Sequence, residues 1–339
     1  MELYDVWFLL IAVLWIGYFV LEGFDFGVGM LVRHLGKDEA ERRVVINTIG
    51  PLWDGNEVWL LTAGSATFAA FPDWYATLFS GFYLPLLLIL VALIIRGVAF
   101  EYRGKRDDQT WRDRWDLAIL VGSFVPALLW GVAFGNIVRG VAIDETQHYT
   151  GGFFDLLNPY ALLGGITTLT VCLLHGALFL GLKTKGVIRS RARRTATQLF
   201  PVVVPVAAGF LLWTLDVRGS VNVALVAGVA AVALLVSWKA AVDHREGYAF
   251  AASAVAILAT VAALFVALYP DVMPSTTNEA YSLTVENASS SPYTLKVMTW
   301  VAVLGVPVVL AYQAWTIWVF RKRIGTEDIP ADVPVGVHE

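Results

Sequence analysis

The sequence predicts an all-α polytopic membrane protein of nine transmembrane helices, with the N-terminus outside and the C-terminus cytoplasmic. Three observations carry this. Hydrophobic residues make up 58% of the 339 positions and charged residues 15%, against roughly 45–50% and 25% in a soluble domain. Apolar stretches near or above the ~20 residues that a bilayer demands recur along the chain. Finally, all but four of the 24 Lys and Arg fall in alternate loops. The exceptions are Arg139, Arg218 and Lys296 on the opposite side and Arg96 inside a span. By the positive-inside rule the rich side is cytoplasmic. The acidic start, Glu2 to Asp5, is then outside, and an odd number of spans follows.

The first span, about 6–32, lacks a basic n-region and an A-x-A-type end, so it is read as a membrane helix and not a cleaved signal. The next, 46–70, contains Gly50, Pro51 and Gly55. The stretches 77–100, 115–137 and 159–183 follow, each flanked by basic residues on its inner side. Spans 197–216 and 220–240 are joined by a short turn of antiparallel helices, and 248–269 and 295–320 complete the set. Loops 138–158 and 270–294 are the longest and lie outside; the second, with Met273-Pro274-Ser275-Thr276-Thr277, is expected to form a cap. Residues 1–323 thus form one integral membrane domain, and 324–339 a polar cytoplasmic tail expected to be mobile.

Net charge is −4 and the basic residues follow topology, which leaves a nucleic-acid role without support. The single cysteine, Cys172, excludes an internal disulfide. Of five His, only His175 is mid-span; His34 and His244 fall in inner loops, His148 in an outer loop and His338 in the tail. No paired ligand set recurs across facing helices, so the chain is expected to bind no haem or metal itself.

The chemistry is expected where lipid makes charge costly, about 2.5 kcal/mol or more per acid at a helix centre. Glu22 and Asp25, and likewise Asp54 and Glu57, are three residues apart and share a helix face. Asp25 lies about 12 Å from Arg33 and Asp54 about 16 Å from Arg43 at the helical rise. Both pairs therefore fall at similar depth in the inner half of the bilayer. They are candidates for a proton or ion relay, with Trp53 and Asn56 in support. Arg96 and Glu101 near the inner end of the third span, and Asp116 opening the fourth, are candidates for its mouth, whereas Arg103 and Lys105 have the placement of snorkelling anchors.

Several segments in this order resemble subunit II of the cytochrome bd family of quinol oxidases. They are Glu22-Gly-Phe-Asp-Phe-Gly-Val-Gly-Met30, Gly50-Pro-Leu-Trp-Asp-Gly-Asn-Glu-Val-Trp59, Phe79-Ser-Gly-Phe-Tyr83, Gly122-Ser-Phe-Val-Pro126, Gly131-Val-Ala-Phe-Gly-Asn136, Leu156-Leu-Asn-Pro159, Val272-Met-Pro-Ser275 and Val297-Met-Thr-Trp-Val-Ala-Val303. The resemblance implies two four-helix bundles plus one peripheral helix in a bacterial plasma membrane. It implies a partner, subunit I, which carries two haems b and haem d and oxidises quinol while reducing O₂ to water, without proton pumping. It allows a structural quinone or lipid and small single-span accessory subunits. It makes this chain a non-haem subunit that stabilises subunit I and delivers cytoplasmic protons, with no catalysis of its own. Asp54 maps onto the inner carboxylate of that path, and Glu101 and Lys105 onto its acid and lysine. Glu22, Glu57 and Glu101 stand where some members have Asp, Gln and Asp. A stand-alone proton- or cation-coupled secondary transporter built on Glu22, Asp25 and Asp54 is the rival reading.

Overall fold

A computed structural model describes residues 2–329; Pro330, Pro334, His338 and the rest of the expected tail beyond 329 lie outside the described residues. The chain is almost wholly helical. In order it forms α1 (Leu3–Leu35), α2 (Glu39–Asn47), α3 (Trp53–Ala70), α4 (Pro72–Gly81), α5 (Tyr83–Tyr102), α6 (Gln109–Arg139), α7 (Pro159–Lys183), α8 (Gly186–Arg218), α9 (Val221–Val242), α10 (Glu246–Leu268) and α11 (Pro292–Val319). Eight of these, all but α2, α3 and α4, are long and apolar enough to cross a membrane.

Local chemistry sets the helix starts. Asp38, Asp108, Asn158, Ser220 and Ser291 cap α2, α6, α7, α9 and α11 with their side chains. Each oxygen accepts an otherwise orphaned N–H of the first turn. Pro72, Pro159 and Pro292 stand at the start of α4, α7 and α11, where a missing N–H costs nothing.

The expected span 46–70 departs from a single helix. Pro51 has no N–H to give and disfavours a helical Gly50, so the chain turns between Asn47 and Trp53. The result is a short amphipathic α2 and an 18-residue α3, about 27 Å long at the helical rise. The expected 77–100 is likewise corrected to α5, with α4 as a separate short helix ahead of it. The turn after α8 is shorter than expected, only Gly219 and Ser220.

α1 is the central helix. It is buried without interruption from Glu22 through Val32, and it packs against α3, α6, α7 and α10. The approach to α7 depends on glycine. A Cβ on Gly27 would lie 2.8 Å from the Cα of Gly176 and inside the van der Waals shell of the Cys172 carbonyl. No side chain fits there, and small residues are what permit such close packing in lipid.

At one end of the helices, β1 (Asp271–Met273) and β2 (Leu283–Thr284) pair antiparallel. The Val141 N–H donates to the Pro274 carbonyl at 3.0 Å, tying the 138–158 loop to this cap. At the other end the chain after α11 is strapped down. The Ile324 N–H donates to the Lys183 carbonyl at 2.9 Å, and the Lys185 N–H to that of Ile324 at 3.0 Å. Lys185 Nζ meets Glu327 and Asp328 at 3.0 Å each. Residues 324–328 are therefore held, unlike the mobile tail expected from composition. α11 itself buries only Leu295 and Gln313.

Gly176→Leu is expected to part α1 from α7 and prevent assembly. Membrane yield and thermal unfolding of the detergent-extracted complex would check this, with Gly228→Leu, whose position meets nothing within 4 Å, as the harmless control.

Candidate functional site

The α1 face from Glu22 to Asp25 meets α3, α5 and α11 in a polar cluster within the apolar interior. Glu22, Asp25 and Arg96 are fully buried. Arg96 Nη2 forms an ion pair with Glu22 Oε1. The Arg96 guanidinium also lies over the Phe26 ring at 4.8 Å and near the Phe100 ring at 5.8 Å. Both rings present π-faces that favour a cation. Glu57 of α3 lies 3.9 Å from the same guanidinium, with its side chain 22% exposed. Asp25 Oδ2 accepts from Asn56 Nδ2 at 2.7 Å, and Asn56 Oδ1 accepts from Gln313 Nε2 at 2.8 Å.

This arrangement follows from spacing. Glu22 and Asp25 share one face of α1, and Asn56 and Glu57, adjacent on α3, meet them from the other side. The cluster holds three carboxyl groups for one guanidinium. Full ionisation would leave excess charge in a medium that solvates it poorly, so charge balance requires protons. Glu22 Oε2, Asp25 Oδ1, Arg96 Nε and Nη1, and Ser123 Oγ of α6 are buried without a hydrogen-bond partner among the described residues. Buried polar atoms of this kind usually bind ordered water.

Asp54 lies apart from the buried acids. It stands in the first turn of α3 and is exposed, where the helix N-terminus favours a negative charge. It shares a face with Glu57, one turn deeper. Trp53 beside it packs on Phe100 with ring centroids 5.1 Å apart. Exposed Asp54, half-buried Glu57 and buried Glu22 thus form a graded series.

Glu101 and Lys105 are exposed at the C-terminal end of α5 and in the turn after it. Glu101 is not near the core as its spacing from Arg96 suggested. Five residues of helix turn through roughly 140° beyond one full turn, so the two side chains leave opposite sides of α5. Asp116 is fully buried and occupied. It accepts from Arg103 Nε at 2.5 Å and from Arg42 Nη1 at 3.1 Å. Arg103 is therefore no snorkelling anchor. It bridges Asp116 and, at 2.8 Å, Glu39 of α2, clamping α2 against α6.

Sequence reasoning missed Gln313 and Ser123. The available signal for Gln313 was a single primary amide in the mostly apolar α11. His175 is buried, and its ring nitrogens face Ser253 Oγ at 2.7 Å and the Val20 carbonyl at 3.2 Å. Among the described residues no group of three or more His, Cys, Asp or Glu is placed to hold a metal ion.

Residues 3–320 match the family model for cytochrome bd terminal oxidase subunit II. This chain belongs to that family. It is 43% identical over 337 residues to cytochrome bd ubiquinol oxidase subunit 2 of Bacillus subtilis (strain 168), covering 96% of this chain and 98% of that protein. It is 39% identical over 362 residues to cytochrome bd-I ubiquinol oxidase subunit 2 of Escherichia coli (strain K12), covering 96% of each. The fold is similar to a chain in the structure of bd oxidase from Geobacillus thermodenitrificans, with a TM-score of 0.79 at 16% identity over 94% of this chain and 99% of that one. The chain is thus a terminal oxidase subunit in a bacterial membrane, and the transporter reading gains no support.

Arg96→Gln is expected to leave Glu22 buried without a counter-charge. Breaking such a pair from one side costs about 3–5 kcal/mol, so the thermal midpoint of the extracted complex should fall by several degrees and its haem content with it. The double variant Arg96→Gln, Glu22→Gln should recover part of the loss.

Proposed function

We propose that this chain is the non-haem subunit II of a quinol:O₂ oxidoreductase, that it stabilises a haem-bearing subunit I, and that it conducts protons inward from the cytoplasmic side. The observation that carries the proton role is the graded series of carboxyl groups Asp54, Glu57 and Glu22–Asp25, ending at buried polar atoms that lack protein partners. Asp54 collects a proton at the inner end of α3, with Glu101 and Lys105 as charged groups at the same surface. Glu57 passes it toward Arg96, which holds Glu22 in place and offsets the charge left when a proton moves on. Water bridging the unpartnered oxygens of Glu22 and Asp25 completes the chain of donors and acceptors. Asp116, pinned between Arg42 and Arg103, fixes the scaffold around this entry. A narrow relay of this kind moves protons without an open pore.

The two haems b and haem d are assigned to subunit I, where they supply electron transfer from quinol and oxygen reduction. The occupied ring nitrogens of His175 accord with a non-haem role for this chain. Taking protons from inside while quinol releases them outside would generate proton-motive force without pumping. α3 is assigned as a ninth span beside the eight longer helices, in two four-helix bundles plus the peripheral α11, with residues 1–323 as one membrane domain and the segment from 324 as a cytoplasmic tail. A cavity of about 320 Å³ lined by Trp15, Phe68, Trp74, Tyr75 and Trp130 is apolar enough for the ring or chain of a structural quinone or lipid. The exposed apolar sides of α5 and α11 suit subunit I, small single-span subunits or lipid.

Two measurements test this reading. Periplasmic and cytoplasmic reporter fusions after residues 150, 244 and 329 should place the first outside and the other two inside; an inner signal at 150 would overturn the topology. Asp54→Asn in the whole complex should lower oxygen consumption at least tenfold with reduced-minus-oxidised haem spectra intact. Wild-type turnover in that variant would leave a scaffold only.

A further inference from the structure

Gln313 is a polar side chain on a helix with almost nothing else buried. Of α11 only Leu295 and Gln313 are buried, and Trp300, Leu304, Val308, Tyr312 and Trp315 are all exposed. A buried amide on such a helix has little packing purpose, and intramembrane polar groups are costly enough to imply a role. Among the described residues its hydrogen-bond partner is Asn56, and Asn56 is in turn the side-chain donor to Asp25. Asp25 Oδ1 has no protein partner, so among the described residues Asn56 supplies the whole side-chain hydrogen bonding of this carboxyl group.

We infer that Gln313 is a positioning residue for Asp25: by donating to Asn56 Oδ1 it locks the Asn56 amide with its NH₂ group aimed at the Asp25 carboxyl. This rests on the proton-delivery reading and adds α11 to it. Without that donation Asn56 Oδ1 becomes a buried acceptor with no partner, a state that costs free energy until the side chain swings elsewhere. Any such swing removes the NH₂ from Asp25. The two amides in series also polarise one another, strengthening the bond that reaches the acid. The height of Gln313 is fixed from both ends of α11. Trp7 Nε1 donates to the Leu295 carbonyl at 3.2 Å and to Thr299 Oγ1 at 3.1 Å, and Lys183 Nζ donates to the Phe320 and Lys322 carbonyls. Gln313 lies between these two anchors, and the Oε1 atom is close to Gly55, one residue from Asp54.

The test is redox-difference infrared spectroscopy of the purified two-subunit oxidase, with oxygen consumption measured on the same samples. The band of Asp25, as acid or carboxylate, is assigned by its loss in Asp25→Asn. Gln313→Leu should retain the haem spectrum, shift that band and lower turnover about tenfold, the equivalent of one hydrogen bond to a charged group. Gln313→Glu should behave as wild type at low pH, where the introduced carboxyl donates its O–H to Asn56 Oδ1. It should fall toward the Gln313→Leu rate at high pH, where the ionised group can only accept. An unshifted Asp25 band in Gln313→Leu overturns the inference whatever turnover does. If Gln313→Leu fails to assemble, the Gln313→Glu band decides, and one that ignores pH overturns it. Wild-type turnover in Asp25→Asn would remove Asp25 from the proton path, and the band shift alone would then decide the positioning. Absence of any Asp25 band would overturn both.

Discussion

The ion pair between Arg96 and Glu22 is the constraint from which the rest of the interior follows. A guanidinium buried in hydrocarbon is tolerable only with a counter-charge and with neighbours that accept a cation. Glu22 supplies the first, and the Phe26 and Phe100 rings supply the second. Meeting this demand ties α5, which packs on α6, to α1 through the Arg96 side chain. Glu57 then reaches the same cation and Asn56 reaches Asp25. The pair contributes little net stability of its own. It makes alternative packings of these helices expensive, because each would strand a charge.

A second layer of the same logic operates at the end of the bundle where α2 lies. Arg103 and Arg42 converge on Asp116, and Arg103 reaches Glu39 as well. Arg189 and Arg193 converge on Glu246 in the other half of the chain, with Arg189 at 2.8 Å. These basic residues are therefore clamps between helix ends.

Much of this was legible in the sequence, for physical reasons. Charge placement in loops obeys a rule that needs no tertiary structure, and acids inside apolar runs announce themselves because lipid makes them costly. Glu22, Asp25 and Glu57 could be named from that argument. What escaped was direction around the helix axis. The depth given to Asp54 assumed one continuous helix from Arg43, which the break between Asn47 and Trp53 removes; Asp54 stands exposed in the first turn of α3, and Glu101 leaves α5 on the side away from Arg96. Depth is a one-dimensional quantity and periodicity gives only relative angle; the absolute angle comes from contacts with other helices. Gln313 escaped for a related reason, since nothing local to α11 says which of its sides meets the cluster. The break at Pro51 was visible as residue types but not as a division of one span into α2 and α3, because an interior proline in a membrane helix produces either a kink or a stop.

The partners of the buried acids are spread along the chain: Glu22 meets a residue 74 positions later, and Asn56 one 257 positions later. Synthesis runs from the N-terminus, so the helix carrying Glu22 and Asp25 leaves the ribosome well before its cation exists, and the final amide arrives with the last helix. During that interval the two carboxyl groups must be kept neutral or kept near water. The first helix therefore cannot take its final place in the lipid as an isolated unit, and the time order of insertion is constrained by the same chemistry that shapes the finished interior.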